Sequence, residues 1–147
     1  MNITIGTDPE FFVKKDGILS SAHGLVEGSK YKPQLVRGGA VQVDGMALEF
    51  NTDPATTKEE FSFNINQVLV CLRALVPSEY EFDFSPVAHF GADYIAAQPQ
   101  EAKELGCEPD FNAYTGQVNP TPDEAGDFRT AAGHIHIGID RVLDVPE

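Results

Sequence analysis

Two histidines one residue apart, in Gly133-His134-Ile135-His136-Ile137-Gly138, have the types and spacing that chemistry could use. In an extended segment side chains alternate between faces, so His134 and His136 share one face while Ile135, Ile137 and Ile139 take the other. The first face is expected to be chemical and the second to be core. Taken alone, two histidines on a solvated strand look the same. The balance shifts with Asp8-Pro9-Glu10, two carboxylates at the same spacing, and with Glu49 in Met46-Ala47-Leu48-Glu49-Phe50. Carboxylate oxygens with few imidazoles suit Mg²⁺ or Mn²⁺ better than a closed zinc site, which is usually richer in Cys and His. His89 stands alone and reads as structural.

The elements that must position these residues are mostly strands. Ile3 and Ile5 alternate before Gly6. Asp16-Gly17 and Asp44-Gly45 each sit between apolar runs and read as hairpin turns, because both residue types tolerate the positive φ of a tight turn. In the second hairpin Ala47, Glu49 and Asn51 face one way and Met46, Leu48 and Phe50 the other. Tyr80-Glu81-Phe82-Asp83-Phe84 alternates like a strand with its rings inward. Residues 57–76 read as a helix: Thr57 and Glu60 suggest a capping box, and Phe61, Ile65, Val68, Leu69, Leu72, Leu75 and Val76 recur at helical spacing until Pro77. A short helix over about residues 99–105 should close on Gly106. Residues 20–39, rich in glycine, form a loop whose cations are Lys30, Lys32 and Arg37; a surface loop is the default reading and phosphate contact the sharper one. Arg129 precedes the histidine strand.

The chain has 147 residues, enough for one domain with a real core, and its apolar residues are spread throughout. Ten basic against 23 acidic residues give a net charge of −13, which argues against holding nucleic-acid phosphates. Such a charge serves either to gather carboxylates around cations or to present an acidic face to a basic protein. Cys71 and Cys107 lack the spacing of a disulfide framework or zinc knuckle, which fits a reducing compartment. The amino terminus lacks the regions of a signal peptide, and the longest apolar stretch, around Val68 to Val76, contains Arg73, so no membrane span is expected.

Four segments in order, Asp8-Pro9-Glu10-Phe11-Phe12, Gln42-Val43-Asp44-Gly45 with Leu48-Glu49-Phe50-Asn51, Gly106-Cys107-Glu108-Pro109-Asp110-Phe111-Asn112-Ala113, and Gly133 to Gly138, resemble the phage COOH–NH2 ligase family, related to glutamine synthetase and glutamate–cysteine ligase. The resemblance runs over nearly the whole chain. It implies an α+β domain spanning 1–147, a curved antiparallel sheet with helices on one side and a glutamine-synthetase-like catalytic scaffold. It also implies an ATP- and Mg²⁺- (or Mn²⁺-) dependent enzyme that joins a small-molecule or peptide carboxylate to an amine through an acyl phosphate. By that similarity Asp8 and Glu10 bind two divalent ions, Glu49 joins Glu10 at one and His134 joins Asp8 at the other. His136 reaches the nucleotide phosphates, with Lys30, Arg37 and Arg129 as the cations that could assist, and Asp110 and Asn112 contact substrate. The location is expected to be cytoplasmic, the host cytoplasm if phage-encoded, and the partners to include a homo-oligomer or another protein. Family members extend well past the His-x-His strand, where further arginines and a last acidic ligand lie. Here only one arginine, Arg141, and one glutamate, Glu147, follow, so a truncated product or a relative without the ligase reaction is also expected. A non-catalytic acidic phage protein that binds a host or defence protein is the alternative from another class.

Overall fold

The computed structural model describes residues 2–105, 111–120 and 126–139. Among these residues ten strands and three helices follow in order: β1 (Ile3–Thr7), β2 (Glu10–Lys15), β3 (Ile18–Ser20), β4 (Gln34–Val36), β5 (Gly39–Asp44), β6 (Ala47–Thr52), α1 (Lys58–Leu75), β7 (Tyr80–Asp83), β8 (Val87–His89), α2 (Ala92–Ala96), α3 (Gln100–Lys103), β9 (Phe128–Thr130) and β10 (Ile135–Ile139). The main sheet runs β3-β2-β6-β5-β4, with β7 also paired to β2, and every pairing between these strands is antiparallel. Two antiparallel ribbons, β1-β10 and β8-β9, complete an α+β architecture.

Alternation along β2 and β6 gives the main sheet two different faces. Phe11, Val13, Val41, Leu48 and Phe50 pack with Val68, Leu72 and Val76, so α1 closes that side. Each such side chain contributes roughly 1.5–3 kcal/mol by leaving water. The helix starts as its sequence suggests. Thr57 Oγ1 accepts from the Glu60 amide at 3.1 Å, while the Glu60 carboxylate reaches one residue further back, to the amide and hydroxyl of Thr56. On the opposite face Phe12 and Ala47 pack with Ala88, and Phe90 joins them edge-on to Phe12. The short helices lie there too: Ile95 of α2 and Ala102 of α3 enclose Met46. Helices therefore flank both faces, not one as expected, because the apolar residues Phe12, Ala47 and Met46 need a second cover.

Two turns show how far the Asp-Gly rule holds. Asp16 and Gly17 have φ of 54° and 76° and join Lys15 directly to Ile18, a two-residue turn of the expected kind. In the next hairpin Asp44 pairs with Ala47, so the turn is Gly45-Met46 and Asp44 remains in the strand. Gly45 has a φ of 57°, and a Cβ there would lie 2.9 Å from the Glu104 carbonyl oxygen, so glycine lets the end of α3 approach.

The β1-β10 ribbon departs from expectation. Its register sets Ile3 opposite Ile139 and Ile5 opposite Ile137. Ile135, Ile137 and Ile139 are nevertheless 68%, 65% and 44% exposed, not core. Among the described residues β10 pairs with β1 alone and no helix lies over that face.

At the sheet edge Lys14 Nζ lies 2.5 Å from Asp83 Oδ2, and Asp83 Oδ1 accepts the Ser85 amide at 2.9 Å. The Lys14 ammonium, then Ser85, hold the Asp83 carboxyl down at about 2. A depressed acid adds stability that is present above its unfolded value of 3.8 and lost as pH falls towards 2. Lys14 is 37% exposed and water screens the pair, so the contribution is about 1 kcal/mol. Asp83→Asn should lower the urea stability by that amount at pH 6, with the gap to the parent narrowing below the unfolded value. An equal gap at pH 6 and near pH 2 would show that the charge is not what matters.

Candidate metal centre and cleft

The strand registers bring three carboxylates together. Glu10 on β2 stands opposite Glu49 on β6, and Gln42 on β5 stands opposite Glu49 on its other side. Residues directly opposite in an antiparallel pair project to the same face, and Asp44 lies two positions beyond Gln42, so it shares that face. Oxygens of Glu10, Asp44 and Glu49 all lie within 4.8 Å of one another, and all three residues are half-buried. Gln42 Nε2 donates to Glu49 Oε2 at 2.7 Å, and Glu10 Oε2 accepts the Ala132 amide at 2.9 Å.

The electrostatics follow from that crowding. Burial first, then repulsion from Asp44, Glu10 and Asp8, lifts the Glu49 carboxyl to about 7 against the lowering effect of the Gln42 hydrogen bond. Glu10 is also raised, chiefly by burial and then by Asp44 and Asp8, while the Ala132 amide and His134 oppose the rise. Half-buried acids that repel one another are stabilised by a proton or by a cation. An all-oxygen donor set of this kind fits a hard divalent cation such as Mg²⁺ or Mn²⁺.

A cleft of about 610 Å³ opens beside the carboxylates. Its polar lining includes Glu10, Asp44, Arg129 and His134, and its apolar lining Phe12, Met46 and Phe128. Arg129 is 7% exposed, with Nη1 donating to the Phe128 carbonyl at 2.9 Å. Lys30 Nζ sits 3.8 Å from Asp44 Oδ2, which places this cation at the edge of the cluster.

Asp8 keeps different company. Its Oδ1 accepts the His134 amide at 2.9 Å, and its Oδ2 lies 3.1 Å from His136 Nε2. His134 Nδ1 is 3.4 Å from Oδ1 of the same carboxylate. The histidine strand thus packs onto Asp8, and His134 turns into the cleft that Glu10 lines.

Two other residues expected at the site make contacts of their own. Arg37, at the far end of β5 from Asp44, stacks its guanidinium 5.2 Å from the centre of the Phe63 ring on α1. Asn112 Oδ1 accepts the amides of Tyr114 and Thr115 at 2.9 and 3.2 Å, which commits it to its own turn. Asp110 lies outside the described residues. Conversely, Asp44 joins the cluster although its Asp-Gly context reads as a turn. The period-2 relation of Asp44 to Gln42, opposite Glu49, is the signal that could have found it.

Comparison with protein-family models, with curated proteins and with solved structures finds no match for this chain.

Proposed function

We propose that the chain is an ATP-dependent carboxylate–amine ligase on a glutamine-synthetase-like scaffold, working with Mg²⁺ or Mn²⁺ in the cytoplasm. The observation that carries the reading is the convergence of Glu10, Asp44 and Glu49 on one side of a cleft that also holds Arg129 and His134. A carboxylate must be activated before an amine can attack it, and transfer of a γ-phosphoryl group gives the acyl phosphate that does so. A divalent cation held by Glu10, Asp44 and Glu49 would neutralise polyphosphate charge that this acidic chain otherwise repels. Arg129 supplies fixed positive charge to the same cleft, and Lys30 stands close enough to exchange its Asp44 contact for a phosphate oxygen. Phe12, Met46 and Phe128 give an apolar wall suited to the less polar part of a bound molecule.

The test is calorimetry with Mn²⁺ and with Mg²⁺ plus a non-hydrolysable ATP analogue, followed by ADP release across a panel of carboxylates and amines. Cation-dependent nucleotide binding and substrate-dependent ADP release are expected. If neither occurs, the ligase reading fails, and the net charge of −13 becomes the argument for a non-catalytic acidic protein that binds a basic partner.

A further inference from the structure

We propose that Asp8 is a positioning residue that holds His136 in one tautomer, with the proton on Nε2 and the lone pair on Nδ1. The role given to that nitrogen rests on the ligase reading above; the tautomer does not. Three observations carry it. First, Asp8 is itself held. Its Oδ1 accepts the His134 amide at 2.9 Å, and Thr7 Oγ1, next to it in the chain, donates to the His134 carbonyl at 2.7 Å. Second, an ionised carboxylate only accepts hydrogen bonds, so the proton in the 3.1 Å contact between Asp8 Oδ2 and His136 belongs to Nε2. Third, the His136 side chain is 67% exposed, so packing does not fix the ring and the carboxylate is what orients it, while Asp8 is only 21% exposed. Among the described residues His136 Nδ1 has no partner. The same carboxylate stands 3.4 Å from His134 Nδ1, and the two rings are 6.2 Å apart, so one acid steers both imidazoles.

This assigns Asp8 a task other than cation binding. On the ligase reading, His136 Nδ1 would be the nitrogen that takes a proton from an ammonium substrate, leaving a neutral amine with a lone pair for attack. The imidazolium would keep its Nε2 proton in the hydrogen bond to Asp8 and return the Nδ1 proton to solvent. A carboxylate that orients an imidazole in this way sets which nitrogen is basic and where it points.

The experiment is two-bond ¹H–¹⁵N correlation on ¹⁵N-labelled, chelator-treated protein at about pH 8.5, where imidazoles are neutral. The His136 signals are assigned by their loss in H136Q. Exposed His23, whose amide contacts Ser21 Oγ, serves as the internal reference. The wild type should show a single Nε2–H tautomer for His136, with the Nε2 proton exchanging about tenfold more slowly than that of His23. Asp8→Ala should return His136 to the mixed pattern of His23, and Asp8→Glu should restore part of the protection. A wild-type His136 indistinguishable from His23 overturns the proposal without any variant having to fold, and so does an Asp8→Ala spectrum unchanged at His136. A locked tautomer in a protein that releases no ADP with any substrate leaves the positioning intact and removes the ligase reading.

Discussion

Replacing Glu49 by glutamine should make the cation-free protein more stable at pH 8 while costing it most of its affinity for Mn²⁺ or Mg²⁺. Glu49 titrates at about 7 in the folded chain against 4.5 when unfolded, so folding takes up a proton between those values. A raised acid gives stability that is complete below pH 4.5 and is lost as pH climbs to about 7. Above that, the ionised Glu49 sits half-buried against Glu10 and Asp44 at a cost of about 2 kcal/mol, taken below the full shift because water still reaches the site. Glutamine keeps the shape and an acceptor for Gln42 Nε2 while removing the charge. Thermal melts in chelator should show the variant more stable than the parent at pH 8 and nearly equal to it at pH 4.5, with some slope left because Glu10 is raised as well.

The cation should reverse that order. If the three acids hold a dication as proposed, it would stabilise the parent by mass action, whereas the variant has one charged ligand fewer and should bind on the order of 100-fold more weakly. At pH 8 with millimolar Mn²⁺ the parent should then melt above Glu49→Gln. A variant that is no more stable in chelator, with the parent's slope between pH 4.5 and 8 unchanged, would mean that the three acids are too well solvated to repel one another. An unchanged Mn²⁺ isotherm would mean that the cation does not sit there.

The sequence was most legible where local chemistry decides the outcome. Asp16-Gly17 makes the expected turn because both residues take positive φ with nothing competing. Residues 58–75 form a helix because capping and apolar period agree. Legibility failed where two local rules disagreed. Asp44-Gly45 has the form of a turn, yet burial of Met46 between Ile95 and Ala102 goes with a turn one residue later, and that shift keeps Asp44 on the strand face shared with Glu10 and Glu49. Alternation puts His134 and His136 on one face, but alternation carries no information on what covers the other, and the isoleucines opposite, expected in the core, are exposed. Glycines and cations in residues 20–39 gave no way to separate Lys30, which reaches Asp44, from Arg37, which packs on Phe63. That distinction depends on which end of β5 each residue stands beside, and hairpin register sets it.

If the chain is the ligase proposed, Arg129→Met should lower turnover by on the order of 10² to 10³ in kcat while changing Mg²⁺–ATP affinity far less. Arg129 is the buried cation of the cleft, held by β9 opposite Ala88 of β8 and oriented by its own Nη1 contact to Phe128. On the ligase reading its guanidinium, already lining the cleft before a substrate arrives, would meet phosphoryl charge as it develops. Lys30 at the cluster edge is 46% exposed and has to give up water to do the same. Arg129→Lys should recover only part of the loss, because an ammonium offers a point charge in place of a planar fork. Methionine fills much of the arginine's volume, so a melting temperature taken alongside separates lost charge from lost packing. Tripolyphosphate titration with Mg²⁺ gives a second readout that needs no turnover. Equal losses in kcat/KM and in tripolyphosphate affinity would assign Arg129 to ground-state binding, and an unchanged kcat in a less stable protein would assign it to holding β9 against the cleft.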